Sequence, residues 1–125
     1  MFKDVYQVTK RFTFEASHVL ELHDGKCSRL HGHNFVVEVT CRAGKLIEEG
    51  PKTNMVKDFG DIKERIKPAI DLLDHQHLNE VMGTNMPTAE FIAAWFVKNF
   101  YFPTMYKVRV YETPDSWAEV FYHAS

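Results

Sequence analysis

Alternating apolar and polar residues predict two paired strands in the first third of the chain. Residues 4–16 mix β-branched and aromatic side chains with polar ones, and the first strand is predicted to run to about Ser17. Residues 22–30 contain glycine and short polar residues and show neither a strand period nor a helical period, which predicts a loop. Residues 33–42 return to a period of two. A second strand, paired to the first, is therefore expected after the loop.

Helical spacing of apolar residues predicts two helices in the middle of the chain. In residues 58–73, apolar side chains recur at intervals of four, four and three. Pro68 lies inside this segment and argues against an unbroken helix. The residues from Pro87 onwards have the composition of the first turn of a helix. They predict a second helix that stops near Tyr101. The apolar positions of the first helix are Ile62, Ile66, Ile70 and Leu73.

Two further strands are predicted near the C-terminus. Residues 106–112 and 117–122 are rich in β-branched and aromatic side chains, and residues 113–116 have the composition of a turn. The element order is then β-β-α-α-β-β. It predicts one α+β domain over residues 1–125, in which an antiparallel four-stranded sheet carries both helices on one face.

Composition excludes some classes of protein but does not indicate a particular function. The chain has 125 residues, 45% of them hydrophobic, and a formal net charge of −2. A weakly acidic balance gives no basic face for a nucleic-acid backbone. The first residues lack the apolar run of a secretory leader, and no window has the length of a membrane span. We therefore expect a cytoplasmic protein that binds neither membranes nor nucleic acid.

Three histidines in the predicted hairpin form a candidate zinc site. His31 and His33 are two residues apart at the start of a strand, so their side chains point to the same face. His18 ends the facing strand and would lie opposite this pair. Three imidazoles with an open fourth position are typical of catalytic zinc, whereas structural sites usually close with four ligands, mostly thiolates.

The alternative is that these are ordinary histidines, at the surface or hydrogen-bonded in the core. The His-x-His spacing alone recurs in unrelated sites, and His18 on the facing strand is what favours a metal site. Three carboxylates are candidates for orienting the imidazole N–H groups. These are Glu15, Glu38 and Glu119.

The two cysteines have different surroundings, which favours separate roles over a disulfide. Cys27 lies four residues before His31 in the glycine-containing loop, and Lys26 and Arg29 beside it would stabilise a thiolate. A reactive thiol near the metal is one interpretation, and an unreactive small residue is the other. Cys41 lies in an apolar strand pattern and is assigned to the core.

Asp74 and His75 follow the first helix directly and could form a proton-transfer pair. A neighbouring carboxylate fixes the tautomer of an imidazole and makes it a better base. The alternative is a polar helix end whose cationic histidine is stabilised by the helix dipole. A second metal site at His75 and His77 is a weaker possibility. Glu112, at a strand end beside a turn, could bind an amidine-like group or could be an ordinary exposed carboxylate.

An ordered series of motifs resembles the family of 6-pyruvoyltetrahydropterin and 6-carboxytetrahydropterin synthases. The resemblance extends over nearly the whole chain. Its motifs are Phe14-x3-His18, Cys27-x3-His31-Gly32-His33, Val56-x-Asp58-Phe59, Leu73-Asp74-His75-x2-Leu78-Asn79, Pro87-Thr88-x-Glu90 and Tyr111-Glu112-Thr113.

The resemblance implies a T-fold, whose trimers close their sheets into a barrel and usually pair as hexamers. It also implies that three histidines hold zinc, which binds the side-chain hydroxyls of 7,8-dihydroneopterin triphosphate. Cys27 is then the general base, and Asp74 with His75 forms a proton relay across a subunit boundary. Glu112 is the implied anchor of the pterin ring. The zinc ligands would be His18, His31 and His33, with Thr88 and Glu90 near the substrate.

The cysteine loop favours the 6-carboxy branch of this family. Three residues, 28–30, separate Cys27 from His31, and the pyruvoyl enzymes tend to have a longer interval. The implied reaction releases acetaldehyde and triphosphate and belongs to queuosine biosynthesis. The alternatives are 6-pyruvoyltetrahydropterin synthase, a non-catalytic zinc- or pterin-binding module and, least favoured, an aldolase on the same fold. His77 departs from the usual pattern, and the triphosphate-binding candidates by charge are Lys26, Arg29 and Lys52.

Overall fold

The computed structural model describes residues 3–122, which form an α+β fold with a five-stranded sheet. The strands lie in the order β3-β1-β2-β4-β5. Their bounds are β1 Tyr6–His18, β2 His31–Ala43, β3 Gln76–His77, β4 Met105–Thr113 and β5 Ser116–Phe121. The helices are α1 Phe59–Leu73, α2 Leu78–Val81 and α3 Ala89–Phe100, and a 3₁₀ turn spans Lys26–Ser28.

The predicted hairpin of β1 and β2 is the central feature of the sheet. The two strands pair antiparallel along their whole length, from Tyr6 opposite Ala43 to His18 opposite His31. Side chains alternate between the two faces of a strand. Phe14 and Phe35 face each other on the buried side, with ring centroids 5.0 Å apart. The same alternation therefore places the histidines at the end of the buried side, next to the core.

Both long helices pack on this apolar face of the sheet. The buried side of α1 contributes Ile62, Ile66 and Leu73, and that of α3 contributes Ile92 and Phe96. These side chains join the inward residues of the strands in one hydrophobic cluster. Burying a large apolar side chain stabilises the fold by about 1.5–3 kcal/mol. No helix among residues 3–122 has the length and hydropathy required to cross a membrane.

The prediction of a purely antiparallel, four-stranded sheet with two helices is wrong in two details. A fifth strand, β3, pairs parallel with Ala16 and Ser17 at the end of β1. A four-residue helix, α2, follows it at once. Both elements are too short to show a period in the sequence. They lie between α1 and α3 and place residues 74–79 along the edge of β1.

Pro68 does not break α1, contrary to the doubt raised by the sequence. The helix is continuous from Phe59 to Leu73. A proline removes one backbone donor, which leaves the carbonyl of Glu64 without its usual partner. Because Glu64 and Pro68 are on the exposed side of the helix, water can bind that carbonyl. The helix therefore tolerates the proline.

The N-terminus of α1 provides a stability prediction. The Asp58 carboxylate pairs with the Lys52 ammonium and accepts the N–H of Gly60 at 2.7 Å. These contacts, of which the hydrogen bond to Lys52 is the largest, hold the pKa of the Asp58 carboxyl group below its ordinary value. A carboxyl group whose pKa is lower in the folded state than in the unfolded state stabilises the fold. This stabilisation is complete at pH values above the unfolded-state pKa, and it is lost as the pH falls through the folded-state pKa. We expect Asp58→Ala to lower the free energy of unfolding in urea at neutral pH.

The difference between Asp58→Ala and the wild type should shrink as the pH falls through the lowered pKa of the Asp58 carboxyl group. Asp115→Ala removes the same charge from an exposed turn and serves as the control. An equal effect of Asp58→Ala at neutral and acidic pH would contradict the assignment of the carboxylate as a charged cap.

Candidate metal centre and adjoining cavity

The structure brings His18, His31 and His33 together at the loop end of the hairpin. One ligand atom from each residue lies within 4.8 Å of the others. The ring centroid of His18 is 4.4 Å from that of His31 and 5.3 Å from that of His33. Among residues 3–122 this is the group of histidine, cysteine and acidic side chains placed to hold a metal ion. Residues 13 positions apart in sequence meet because β1 and β2 pair in register.

Backbone carbonyl groups orient two of the three imidazoles. His18 Nδ1 is 2.9 Å from the Pro87 oxygen, and His31 Nδ1 is 2.7 Å from the Arg29 oxygen. A carbonyl oxygen only accepts hydrogen bonds, so each Nδ1 carries the proton and donates it. The lone pair of each ring is then on Nε2. This is the tautomer in which Nε2 can bind a metal ion.

The His18 Nε2 atom is the clearest indication of a metal ligand. The side chain is 0% exposed, and Nε2 has no hydrogen-bond partner among residues 3–122. An unpaired buried polar atom is destabilising by about 1–3 kcal/mol unless something binds it. Burial also lowers the pKa of His18 and of His33, which outweighs the opposing effects of the Pro87 carbonyl and of Glu112. Neutral imidazoles are what a zinc ion requires, so this set of donors fits zinc.

The three glutamates considered as candidates for orienting the imidazoles bind other groups instead. Glu38 binds Arg11 and Tyr111, and Glu119 binds Arg109 and Lys107. Glu15 lies beside His75 instead. All three side chains point to the face of the sheet opposite the helices, whereas the histidines point towards the helices. The carbonyl groups of Pro87 and Arg29 take the expected role.

Glu112 lies directly beside the histidine cluster. Its carboxylate oxygens are 4.0 Å from His18 Nε2 and 3.9 Å from His33 Nε2. It also borders a cavity of about 360 Å³ together with Thr88 and Glu90. The structure therefore places all three predicted substrate-binding residues around one cavity that adjoins the candidate metal centre. A carboxylate at this position can accept two N–H groups from a planar ligand.

Thr88 has a structural role that the sequence did not separate from substrate binding. Its Oγ1 accepts the N–H of Phe91 at 3.1 Å and caps α3. Replacing a threonine cap with alanine destabilises a protein by about 1 kcal/mol. We expect Thr88→Ala to lose about this much in urea unfolding, and Thr88→Ser to retain most of it. Equal stability of the two variants would contradict the capping role.

Cys27 lies in the 3₁₀ turn of the loop that joins the two histidine-bearing strands. Its carbonyl oxygen accepts the N–H of Leu20 at 3.0 Å, which ties the turn to the chain just beyond β1. The side chain is partly exposed, whereas Cys41 is buried in the core as predicted. The thiol is therefore accessible and lies at the histidine end of the hairpin.

Asp74 and His75 form the predicted pair immediately after α1. Asp74 Oδ2 is 3.0 Å from His75 Nδ1. Asp74 Oδ1 accepts the N–H of Glu15 at 2.9 Å, and the backbone N–H of His75 donates to the Glu15 carbonyl. His75 also has a positive φ of 58°, a conformation uncommon outside glycine. The pair is therefore fixed to β1 at both residues.

The structure does not place this pair beside the imidazole cluster of the same chain. His75 is 73% exposed and lies next to Glu15, on the opposite side of β1 from the buried His18. His75 borders a second cavity of about 640 Å³, whose lining also includes Ser17, His33 and His77. His77 itself contacts Ser17, with its Nδ1 3.0 Å from Oγ. His77, the residue that departs from the usual pattern of the motifs, therefore lies against the end of β1.

The three basic residues considered for triphosphate binding separate into two groups. Lys26 and Arg29 are exposed in the Cys27 loop, at the histidine end of the hairpin. Lys52 pairs with Asp58 and Asp61 at the start of α1. The cavity beside Asp58 is bordered by the first residues of β1, at the opposite end of the strand from His18. Lys52 is therefore not near the candidate metal centre of its own chain.

The role of Asn79 was not predicted from the sequence. Its side-chain amide binds both backbone groups of Val19, the residue that follows His18. The Asn79 position was visible only as part of a family motif, and no periodicity indicates such a contact. The orienting carbonyls of Pro87 and Arg29 were also missed, because every residue has a carbonyl group and only the fold shows which one is used.

The fold and the site together define an α+β protein with a candidate three-histidine metal centre beside a cavity of about 360 Å³. Residues 7–122 match the family described as 6-pyruvoyl tetrahydropterin synthase. The chain belongs to this family, as the motifs indicated.

Relatives named for the 6-carboxy enzyme cover nearly the whole chain. A protein of Synechocystis sp. named 6-carboxy-5,6,7,8-tetrahydropterin synthase is 41% identical, over 91% of this chain and 92% of that protein. A protein of Rickettsia conorii with the same name is 36% identical, over 90% of this chain and 97% of that protein. The solved structure of Caenorhabditis elegans 6-pyruvoyl tetrahydropterin synthase matches with a TM-score of 0.79 and 28% identity, covering 98% of this chain and 100% of that one.

Proposed function

We propose that this chain is a zinc-dependent 6-carboxy-5,6,7,8-tetrahydropterin synthase. It would convert 7,8-dihydroneopterin triphosphate to 6-carboxytetrahydropterin, with release of acetaldehyde and triphosphate. The observation that carries the proposal is the buried Nε2 of His18, which has no hydrogen-bond partner in residues 3–122 and lies within reach of His31 and His33. The names of the full-length relatives and the three-residue interval after Cys27 support the 6-carboxy product.

The proposed reaction balances with one molecule of water and no external oxidant. A carbon–oxygen bond to triphosphate breaks, and so does one carbon–carbon bond of the substrate side chain. The pterin ring gains two hydrogens as the dihydro form becomes the tetrahydro form. The side-chain carbon next to the ring is oxidised to the carboxylate, so the oxidation and the reduction occur within one substrate.

His18, His31 and His33 would hold the zinc ion, and Glu112 would orient the substrate. When bound, zinc acts as a Lewis acid that acidifies a substrate hydroxyl and stabilises developing enolate charge. The Glu112 carboxylate lies between the histidines and the cavity, where it can accept N–H groups of the pterin ring. Glu90 borders the same cavity. Thr88 contributes by holding the start of α3 in place.

Cys27 would be the general base, and Asp74 with His75 would form the second proton-transfer group. Because His75 lies beside Glu15, on the opposite side of β1 from His18, we propose that the pair acts in the site of a second copy of the chain. The proposal therefore includes a homo-oligomer, a trimer or hexamer, in which the pair from one protomer completes the site of its neighbour. The high exposure of His75 in the single chain supports this arrangement.

Identification of the products tests the proposed function. Zinc-loaded protein is incubated with 7,8-dihydroneopterin triphosphate, and all products are separated and weighed by mass spectrometry. Acetaldehyde together with 6-carboxytetrahydropterin supports the proposal. The pyruvoyl product without acetaldehyde would assign the activity named for the C. elegans structural relative instead. Binding of zinc and pterin without turnover would indicate a non-catalytic module.

A further inference from the structure

His18 is the last residue of β1, at a point where the sheet gives it little support on one side. Its main chain pairs with His31 of β2. On the other side, β3 pairs with Ala16 and Ser17 and ends there. Strand ends open locally at lower free energy than strand centres. The position of the His18 imidazole therefore depends on what holds the chain just beyond it.

The side chain of Asn79 provides this support. The N–H of Val19 donates to Asn79 Oδ1 at 2.9 Å, and Asn79 Nδ2 donates to the Val19 carbonyl at 2.7 Å. A side-chain amide has the same donor and acceptor as a peptide group. Asn79 therefore extends the parallel pairing of β3 by one further rung, although its own backbone belongs to α2.

His18 is thus held between two residues that are both tied to the same segment. Ser17, before it, pairs with the backbone of His77, and its Oγ lies 3.0 Å from His77 Nδ1. Val19, after it, is bound by Asn79. The imidazole is held by a separate contact, in which Nδ1 donates to the Pro87 carbonyl. Fixing the backbone on both sides of His18 leaves the ring little freedom to move Nε2 away from the cluster.

We propose that Asn79 is a positioning residue of the metal site, acting on His18 through the backbone of Val19. This inference rests on the metal site of the proposed function. Both hydrogen bonds require an amide. An aspartate could accept from the Val19 N–H but would place an oxygen against the Val19 carbonyl, and an alanine could make neither bond.

Metal affinity tests the inference without any assay of turnover. Metal-free protein is titrated with Zn²⁺ against a chromophoric chelator and with Co²⁺ by visible absorption, which reports the coordination geometry. We expect Asn79→Ala to bind Zn²⁺ about tenfold or more weakly, in line with the loss of other groups that orient metal ligands. Its Co²⁺ spectrum should differ from that of the wild type, and Asn79→Asp should be intermediate in affinity.

Asn99→Ala is the matched control. Asn99 also donates from Nδ2 to a backbone carbonyl, that of Trp95 at 2.9 Å, but it lies on the exposed side of α3. It should bind Zn²⁺ as the wild type does. If Asn79→Ala does not fold, as judged by circular dichroism, Asn79→Asp carries the test because it keeps the acceptor.

Each outcome separates the inference from the proposed function. Wild-type affinity and an unchanged Co²⁺ spectrum in the Asn79 variants would overturn the positioning role and leave the proposed function intact. An equal loss in Asn99→Ala would also overturn it, because the effect would then be general destabilisation. A wild-type protein that binds no Zn²⁺ would overturn the proposed function, and the inference with it.

Discussion

Replacing His18 with alanine is expected to abolish stoichiometric zinc binding and, with it, turnover. His18 is the most buried of the three candidate ligand residues, and its Nε2 forms no hydrogen bond within the described part of the chain. Loss of a group that only orients a ligand weakens metal binding about 10–100-fold. Loss of the ligand itself should exceed this range. The measurement is metal content by elemental analysis, followed by zinc titration of the metal-free protein.

Thermal or urea unfolding with and without zinc makes this prediction specific. Metal that binds only the folded state stabilises it by about 2.7 kcal/mol at a free concentration 100 times its Kd. The wild type should show this stabilisation and His18→Ala should not, whatever the stability of the two metal-free proteins.

His23→Ala is the control for His18→Ala, because His23 lies in the loop that follows β1, is not one of the three grouped histidines, and accepts a hydrogen bond from the backbone N–H of Gly25. It should retain zinc and turnover. Zinc-dependent stabilisation of His18→Ala equal to that of the wild type would contradict the proposed metal site.

The long elements could be predicted from the sequence because their patterns are set by burial. The helix predicted over residues 58–73 is observed as Phe59–Leu73, and that predicted over 87–101 as Ala89–Phe100. Each has an apolar face against the sheet, so its period is recorded in the sequence. The two-residue β3 is too short to show such a period. It forms because the end of β1 has an open edge beside it, which is a property of the fold.

Like the fold, the candidate site could be predicted from the sequence only in part. His18 could be placed opposite His31 because both positions follow from strand pairing, and the structure places them in direct register. The same alternation separates Glu38 from the cluster, since residues 38 and 33 differ by an odd number and point to opposite faces. The sequence therefore contained the evidence against Glu38. The carbonyl of Pro87 and the amide of Asn79 come from distant segments, and only the tertiary structure brings them to His18.

Replacing Cys27 with alanine is expected to reduce turnover by about 10²–10⁴-fold, the usual contribution of a general acid or base, while zinc binding is retained. The thiol is partly exposed in the loop between the histidine-bearing strands, and it is not one of the three grouped ligand residues. Its loss should therefore affect proton transfer more than metal binding. The measurement is kcat for product formation, with zinc content determined on the same preparation.

Cys41→Ala provides the matched control, because Cys41 is the other free cysteine and lies in the core. It should lose some stability through the smaller side chain and keep its turnover per folded molecule. If Cys27→Ala kept both its zinc and full turnover, Cys27 would not be the base. Loss of zinc together with turnover would instead make Cys27 part of the metal site. The proposed division of roles therefore requires that removal of the thiol slow the reaction in a protein that still holds its metal.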